Sequence, residues 1–109
     1  MPGPAILVAD DEASIRRTLR EIFEYEDFEV DEAADGEEAL EKARAGRYSL
    51  LLLDVKMPKR DGMEVLEILG EEMPELPVVM ISGHGTIETA VEATKLGAFD
   101  FIEKPPDLN

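Results

Sequence analysis

The chain has 109 residues, 44% hydrophobic and 34% charged, which suits one globular domain and leaves little for a second. Its formal net charge of -15 repels phosphate backbones and anionic lipid, so direct binding to nucleic acid or a membrane is not expected. The lack of cysteine removes disulfides, thiolate catalysis and cysteine metal sites.

The opening "MPGPAILVADDE" has no basic segment ahead of an apolar one, so it does not read as a secretion signal. Within it "AILVA", residues 5–9, is a short apolar run with the character of a strand. "ASIRRTLREIFEY" follows, with Ile15, Leu19, Ile22 and Phe23 spaced to share one helical face. "FEVDEA", residues 28–33, alternates as a second strand. "DGEEALEKARAG" places Asp35 three residues before Glu38, the spacing of a capping box, and stops at Gly46. "YSLLLLD" is a third strand, apolar throughout and so expected to be central and parallel. "DGMEVLEILGEEMP" repeats the capping spacing with Asp61 and Glu64, and sets Met63, Leu66 and Leu69 on one side. "LPVVMIS" is the fourth strand, "GTIETAVEATKLG" the fourth helix, "AFDFIEK" the fifth strand and "PPDLN" a tail. No apolar run is long enough to span a bilayer, and a cytoplasmic domain is expected. The absence of glutamine, with asparagine only at position 109, hints at a thermophilic source.

Strands alternating with helices predict βαβ units, right-handed crossovers and a parallel sheet covered on both faces. Ligands in such sheets bind beyond the carboxyl ends of the strands. Here those ends carry Asp10 and Asp11, then Asp54, then Ser82 with Gly83, then Lys104 with Pro105. Each has a plainer reading. Asp54 suits a turn, Asp10 and Asp11 suit the start of the first helix, and Glu12 favours that helix N-terminus. Ser82 and Gly83 are ordinary turn residues, and Lys104 alone could be a solvated lysine. Their convergence at one rim is what points to a site. Two carboxylates about 4 Å apart repel by roughly 4 kcal/mol at an effective dielectric near 20, so clustered acids call for a cation. Oxygen ligands without nearby histidine or cysteine favour Mg²⁺ or Mn²⁺. A divalent ion, a lysine and a hydroxyl around one carboxylate suit phosphoryl transfer, with Asp54 the natural nucleophile.

The motifs "ADDE", "LLLLDVKMPKRDG", "VVMISGHG" and "GAFDFIEKP", in this order and spacing, resemble the receiver domain of two-component response regulators. The resemblance runs from Ile6 to Pro105 and implies a doubly wound five-stranded sheet of order 2-1-3-4-5. It implies that Asp54 accepts phosphate from a sensor histidine kinase. Asp11, Asp54 and the backbone carbonyl of Lys56 would ligate Mg²⁺, with Asp10 acting through a bound water. Ser82 and Lys104 would hold the phosphoryl oxygens, and Phe101 would be the switch residue. The Lys104–Pro105 bond is expected to be cis. Lys56 and His84, each two residues beyond a site residue, are expected to tune phosphate lifetime. The output face would be the fourth helix and fifth strand.

The stretch from Ile81 to Pro105 is similar to receivers of nitrogen-regulation-type activators, which carry ATPase and DNA-binding domains further along. Receivers normally continue into a fifth helix, about where this chain stops. The expected consequence is an apolar face left partly open, either in a longer protein cut short or in a homodimer through that face or the fourth helix–fifth strand face. Three rivals are weaker. A haloacid-dehalogenase-like phosphatase needs an acid where Lys56 stands. A flavodoxin-like carrier needs a hydroxyl- and glycine-rich loop where "DDEAS" stands. A phosphorylation-independent interaction module would normally have lost the acidic or lysine residues kept here.

Overall fold

The computed structural model describes residues 4–83 and 86–104. The elements run β1 (Ala5–Ala9), α1 (Ala13–Tyr25), β2 (Glu29–Ala33), α2 (Gly36–Ala45), β3 (Leu50–Asp54), α3 (Gly62–Glu72), β4 (Val78–Ser82), α4 (Ile87–Lys95) and β5 (Asp100–Glu103). All four strand pairings are parallel, and the sheet order is β2-β1-β3-β4-β5, as expected.

Side chains alternate across a strand, so each strand feeds two cores. Leu7, Leu51, Leu53 and Met80 face one side, where α2 contributes Ala39 and Leu40 and α3 contributes Val65, Leu66 and Leu69. Ile6, Val8, Leu52, Val79 and Ile81 face the other, where α1 contributes Ile15 and Leu19. The central strands β1, β3 and β4 are buried almost end to end, which is why they read as unbroken apolar runs. At the β5 edge, Ile102 pairs in register with Ile81 yet is 47% exposed. Ile22 departs from its expected place: it is 48% exposed, so the inward stripe of α1 narrows to Ile15 and Leu19, with Phe23 half-buried.

The first predicted capping box forms in part, with Glu38 bonding the residue before the cap rather than Asp35 itself. Asp35 accepts the Glu38 N–H at 2.8 Å, and Glu38 reaches back to the Ala34 N–H at 2.7 Å. Asp35→Ala should therefore lower stability by about 1 kcal/mol, read as a reduced urea midpoint at unchanged slope. The second box does not form. Asp61 makes no side-chain cap bond, and Glu64 instead accepts from Arg60 at 3.0 Å. Arg60 also holds Glu37 of α2 at 2.9 Å, so it ties the β3–α3 loop to both flanking helices. A neighbouring ion pair takes up Glu64 in place of the box.

On the α1 side, Glu32 of β2 accepts from Arg16 at 2.9 Å and from Arg20 at 2.6 Å. Burial works against ionising Glu32, but the two arginine bonds outweigh it and hold its carboxyl below the ordinary range.

Candidate functional site

Each strand-end residue is held by the backbone of its neighbours. The Asp10 N–H donates to Ala33 O at the end of β2, 3.0 Å. Val55, one residue past Asp54, donates to Ile81 O at 3.1 Å, and the Lys104 N–H donates to Ser82 O at 2.8 Å. These bonds extend the ladders by one residue and bring the side chains of β1, β3, β4 and β5 to a common rim.

Lys104 is the centre of the arrangement. Its Nζ lies 2.8 Å from Asp10 Oδ2 and 3.2 Å from Asp54 Oδ2. Glu12 Oε1 stands further out, at 3.7 Å. The contact with Asp54 is a hydrogen bond. The contact with Asp10 is an ion pair without hydrogen-bond alignment, so Asp10 Oδ2 is buried with no hydrogen-bond partner. The other oxygen of Asp10 accepts the Glu12 N–H at 2.9 Å. Asp10 is fully buried, and Asp54 and Ser82 nearly so.

Burial pushes the Asp54 carboxyl up to about 6, helped by the charge of Asp10 and opposed by Lys104 and the Lys56 backbone N–H. Burial works to lower Lys104, but Asp10 and Asp54 outweigh it and its ammonium is held above the ordinary range. One lysine thus stands between two buried carboxylates, and the negative charge there exceeds the positive.

That imbalance, with an orphaned carboxylate oxygen, is what a divalent cation would satisfy. Carboxylate oxygens of Asp10, Asp11 and Glu12 come within 4.8 Å of one another. The donors are hard oxygens only, so the residues fit Mg²⁺ or Mn²⁺. Glu12 was expected only to favour the helix N-terminus. Here it is the N-cap residue of α1, makes no side-chain cap bond and joins the acidic group.

A pocket of about 280 Å³ opens beside these groups, lined by Asp11, Asp54, Lys56, Ser82 and Lys104. The site residues expected from the strand ends therefore do meet. Thr89, in the first turn of α4, also lines the pocket. No signal in the sequence marks it, because its position depends on how α4 docks. Phe101 lies elsewhere. It packs half-buried against the α2–α3 core and borders a crevice with Thr86, Ile87 and Ala90 of α4. The Lys56 side chain is exposed. His84 and the Lys104–Pro105 bond lie outside the described residues.

Gly62 shows how tightly the Asp54 loop is seated. A methyl group there would run into the Asp54 carbonyl oxygen, and the Gly62 N–H donates to Val55 O at 2.8 Å. Gly62→Ala must displace backbone. It should cost about 3 kcal/mol in chemical denaturation and loosen the site.

Residues 6–109 match the response regulator receiver domain family. The chain belongs to this family. It is 49% identical over 102 residues to the nitrogen assimilation regulatory protein NtrX of Azorhizobium caulinodans, covering 92% of this chain and 22% of that protein. The chain thus spans about a fifth of the length of the first curated relatives it matches. Among solved structures, the receiver domain of NtrX from Brucella abortus is 46% identical with a TM-score of 0.86, covering 92% of this chain and 85% of that one. A response regulator from Burkholderia pseudomallei, with a phosphorylated aspartic acid, a calcium ion and citrate, is 28% identical with a TM-score of 0.88, covering 96% and 62%. As a receiver domain, this chain is a phosphoacceptor module of phosphorylation-dependent signalling. Among the described residues, no helix is long and apolar enough to cross a membrane.

Proposed function

We propose that Asp54 is the acceptor, taking a phosphoryl group from a sensor histidine kinase with a divalent cation present. The observation that carries this is Lys104 Nζ standing within 3.2 Å of both Asp54 and Asp10 at the mouth of an acid-lined pocket. Asp54 Oδ attacks phosphorus, the bond from phosphorus to the phosphohistidine nitrogen breaks, and an acyl phosphate forms. Lys104 and the Ser82 hydroxyl would take oxygens of the transferred group, and charge-assisted bonds of this kind matter most out of water. Asp10, Asp11 and Asp54, with the Lys56 backbone carbonyl, would hold Mg²⁺ or Mn²⁺, whose charge offsets that of the incoming phosphate. The chain would assist its own phosphorylation and slow dephosphorylation, with Lys56 and His84 flanking the group. The Burkholderia relative, whose structure holds a phosphorylated aspartic acid and a calcium ion, supports this reading.

The signal would leave through α4 and β5. Turning a 1:99 equilibrium into 99:1 takes about 5.5 kcal/mol, and one charge-assisted hydrogen bond gives about 1.5–3 kcal/mol. Several contacts must act together, so Ser82 and Lys104 both turn toward the phosphate. Phe101 then responds across the α4 crevice. Only Ala93 anchors α4 as a buried residue, which suits a helix that shifts, and its Ile87 and Val91 are exposed to an output surface. In the full-length protein the output would be transcriptional, as in the transcriptional regulatory protein ResD of Bacillus subtilis, 42% identical over 100 residues. A phosphorylation-independent interaction module gains nothing from this geometry, because the acids and the lysine are all in place. The test is incubation with acetyl phosphate and Mg²⁺, followed by intact mass. One added phosphoryl group, absent when EDTA replaces Mg²⁺, is the expected result, and an unmodified chain would overturn the reading.

A further inference from the structure

The contact with Lys104 accounts for the side chain of Asp10, and the pocket for that of Asp11, but neither accounts for what aims them. The Asp10 carbonyl oxygen accepts Nη1–H of Arg16 at 2.7 Å, and Arg16 is only 17% exposed in the first turn of α1. The Arg16 Nε donates to Glu32 Oε1 at 2.9 Å, and Glu32 is itself fixed on β2 and by Arg20 at 2.6 Å. The Asp10 N–H is already tied to Ala33 O. The residue that follows β1 is therefore gripped from both sides by the end of β2, directly through Ala33 and indirectly through Glu32 and Arg16.

A peptide unit is planar, so the Asp10 carbonyl and the Asp11 N–H turn together. Holding that carbonyl sets the plane from which the exposed Asp11 side chain projects. The geometry points to Arg16 as a positioning residue for the divalent cation: anchored by Glu32, it holds the Asp10–Asp11 peptide so that both carboxylates address one ion. This rests on the reading that these acids hold the cation. A ligand's orienting partners commonly matter to affinity nearly as much as the ligand itself.

Charge and geometry predict opposite signs here, which makes the inference testable. Removing a positive guanidinium beside a cation site should by charge alone tighten Mg²⁺. Removing the carbonyl's hydrogen bond should loosen it. Calorimetric Mg²⁺ titration of the unaltered chain, Asp11→Asn, Arg16→Met and Arg16→Lys separates the two, with circular dichroism to establish that each is folded. The unaltered chain binds Mg²⁺ and Asp11→Asn loses it. Arg16→Met binds about tenfold more weakly. Arg16→Lys, which cannot span both Glu32 and the carbonyl as a fork does, falls between them. Mg²⁺ binding in Arg16→Met as tight as in the unaltered chain, or tighter, overturns the inference alone. Should Arg16→Met fail to fold, Arg16→Lys takes its place, because it keeps the charge and loses only the fork: weaker Mg²⁺ binding supports the inference and unchanged binding overturns it. No Mg²⁺ binding by the unaltered chain overturns the reading of the site, and the inference with it.

Discussion

Asp54→Asn should abolish acceptance of phosphate while making the metal-free protein more stable. The first half is chemistry. An amide nitrogen or oxygen at that place forms no stable acyl phosphate, so intact mass after acetyl phosphate and Mg²⁺ should show no addition. The second half follows from burial. The Asp54 carboxyl is raised to about 6 from an ordinary 3.8, chiefly by burial and next by the charge of Asp10. A raised acid binds its proton more tightly folded than unfolded, so between those two values stability falls as pH rises. Above about 6 the ionised Asp54 is a standing cost. Asparagine does not titrate. In EDTA, the melting temperature of Asp54→Asn should exceed that of the parent at pH 7, and the gap should close as pH is lowered toward 4. Adding Mg²⁺ should shrink the gap, because the ion stabilises only the form that binds it. A parent as stable as the variant at pH 7 in EDTA would sink the claim that these charges are in conflict.

The same conflict explains how much of this protein could be read from residues alone. The three runs that form the sheet centre are continuous, and a carboxylate or hydroxyl placed at the end of such a run stands out. Asp54 after Leu50–Leu53 and Ser82 after Val78–Ile81 are legible for that reason. The Asp35 cap was legible because both partners lie within four residues. The Asp61 box does not form: Arg60, four residues before Glu64, pairs with it and also with Glu37 across the α2–α3 gap, and only the second contact is invisible locally. Ile22 was placed inward because a 3.6-residue period marks apolar positions but not how far the sheet beneath them extends. Thr89 and Arg16 carry no local signal for a related reason: Thr89 reaches the pocket through the docking of α4, and Arg16 meets Asp10 and Glu32, which lie outside its helix. Strand-end chemistry is written in the sequence; the side chains that aim it are written in the packing.

Lys104→Met should be the most damaging single change at the rim. The ammonium is the one cation within 3.2 Å of both buried carboxylates among the described residues, and methionine keeps the volume of the stem but not the charge. Taking one partner from a buried ion pair leaves an uncompensated charge, at a cost of about 3 kcal/mol or more. The loss should therefore be large in EDTA at pH 7.5, read as a fall in the urea midpoint. Two independent treatments should restore it. Mg²⁺ supplies the missing positive charge, and acidification to pH 5 protonates an Asp54 already inclined to hold its proton. The variant should also depend on Mg²⁺ for stability more steeply than the parent does. Phosphorylation should suffer even when folding is rescued, since the group proposed to take a phosphoryl oxygen is gone; a rate with acetyl phosphate about 100-fold lower in saturating Mg²⁺ is expected. If the variant were as stable as the parent in EDTA at pH 7.5, Lys104 would not be the counterion of this pair. If Mg²⁺ failed to rescue it, the acidic rim would not be a cation site, because an ion bound there must relieve the same repulsion that the lysine does.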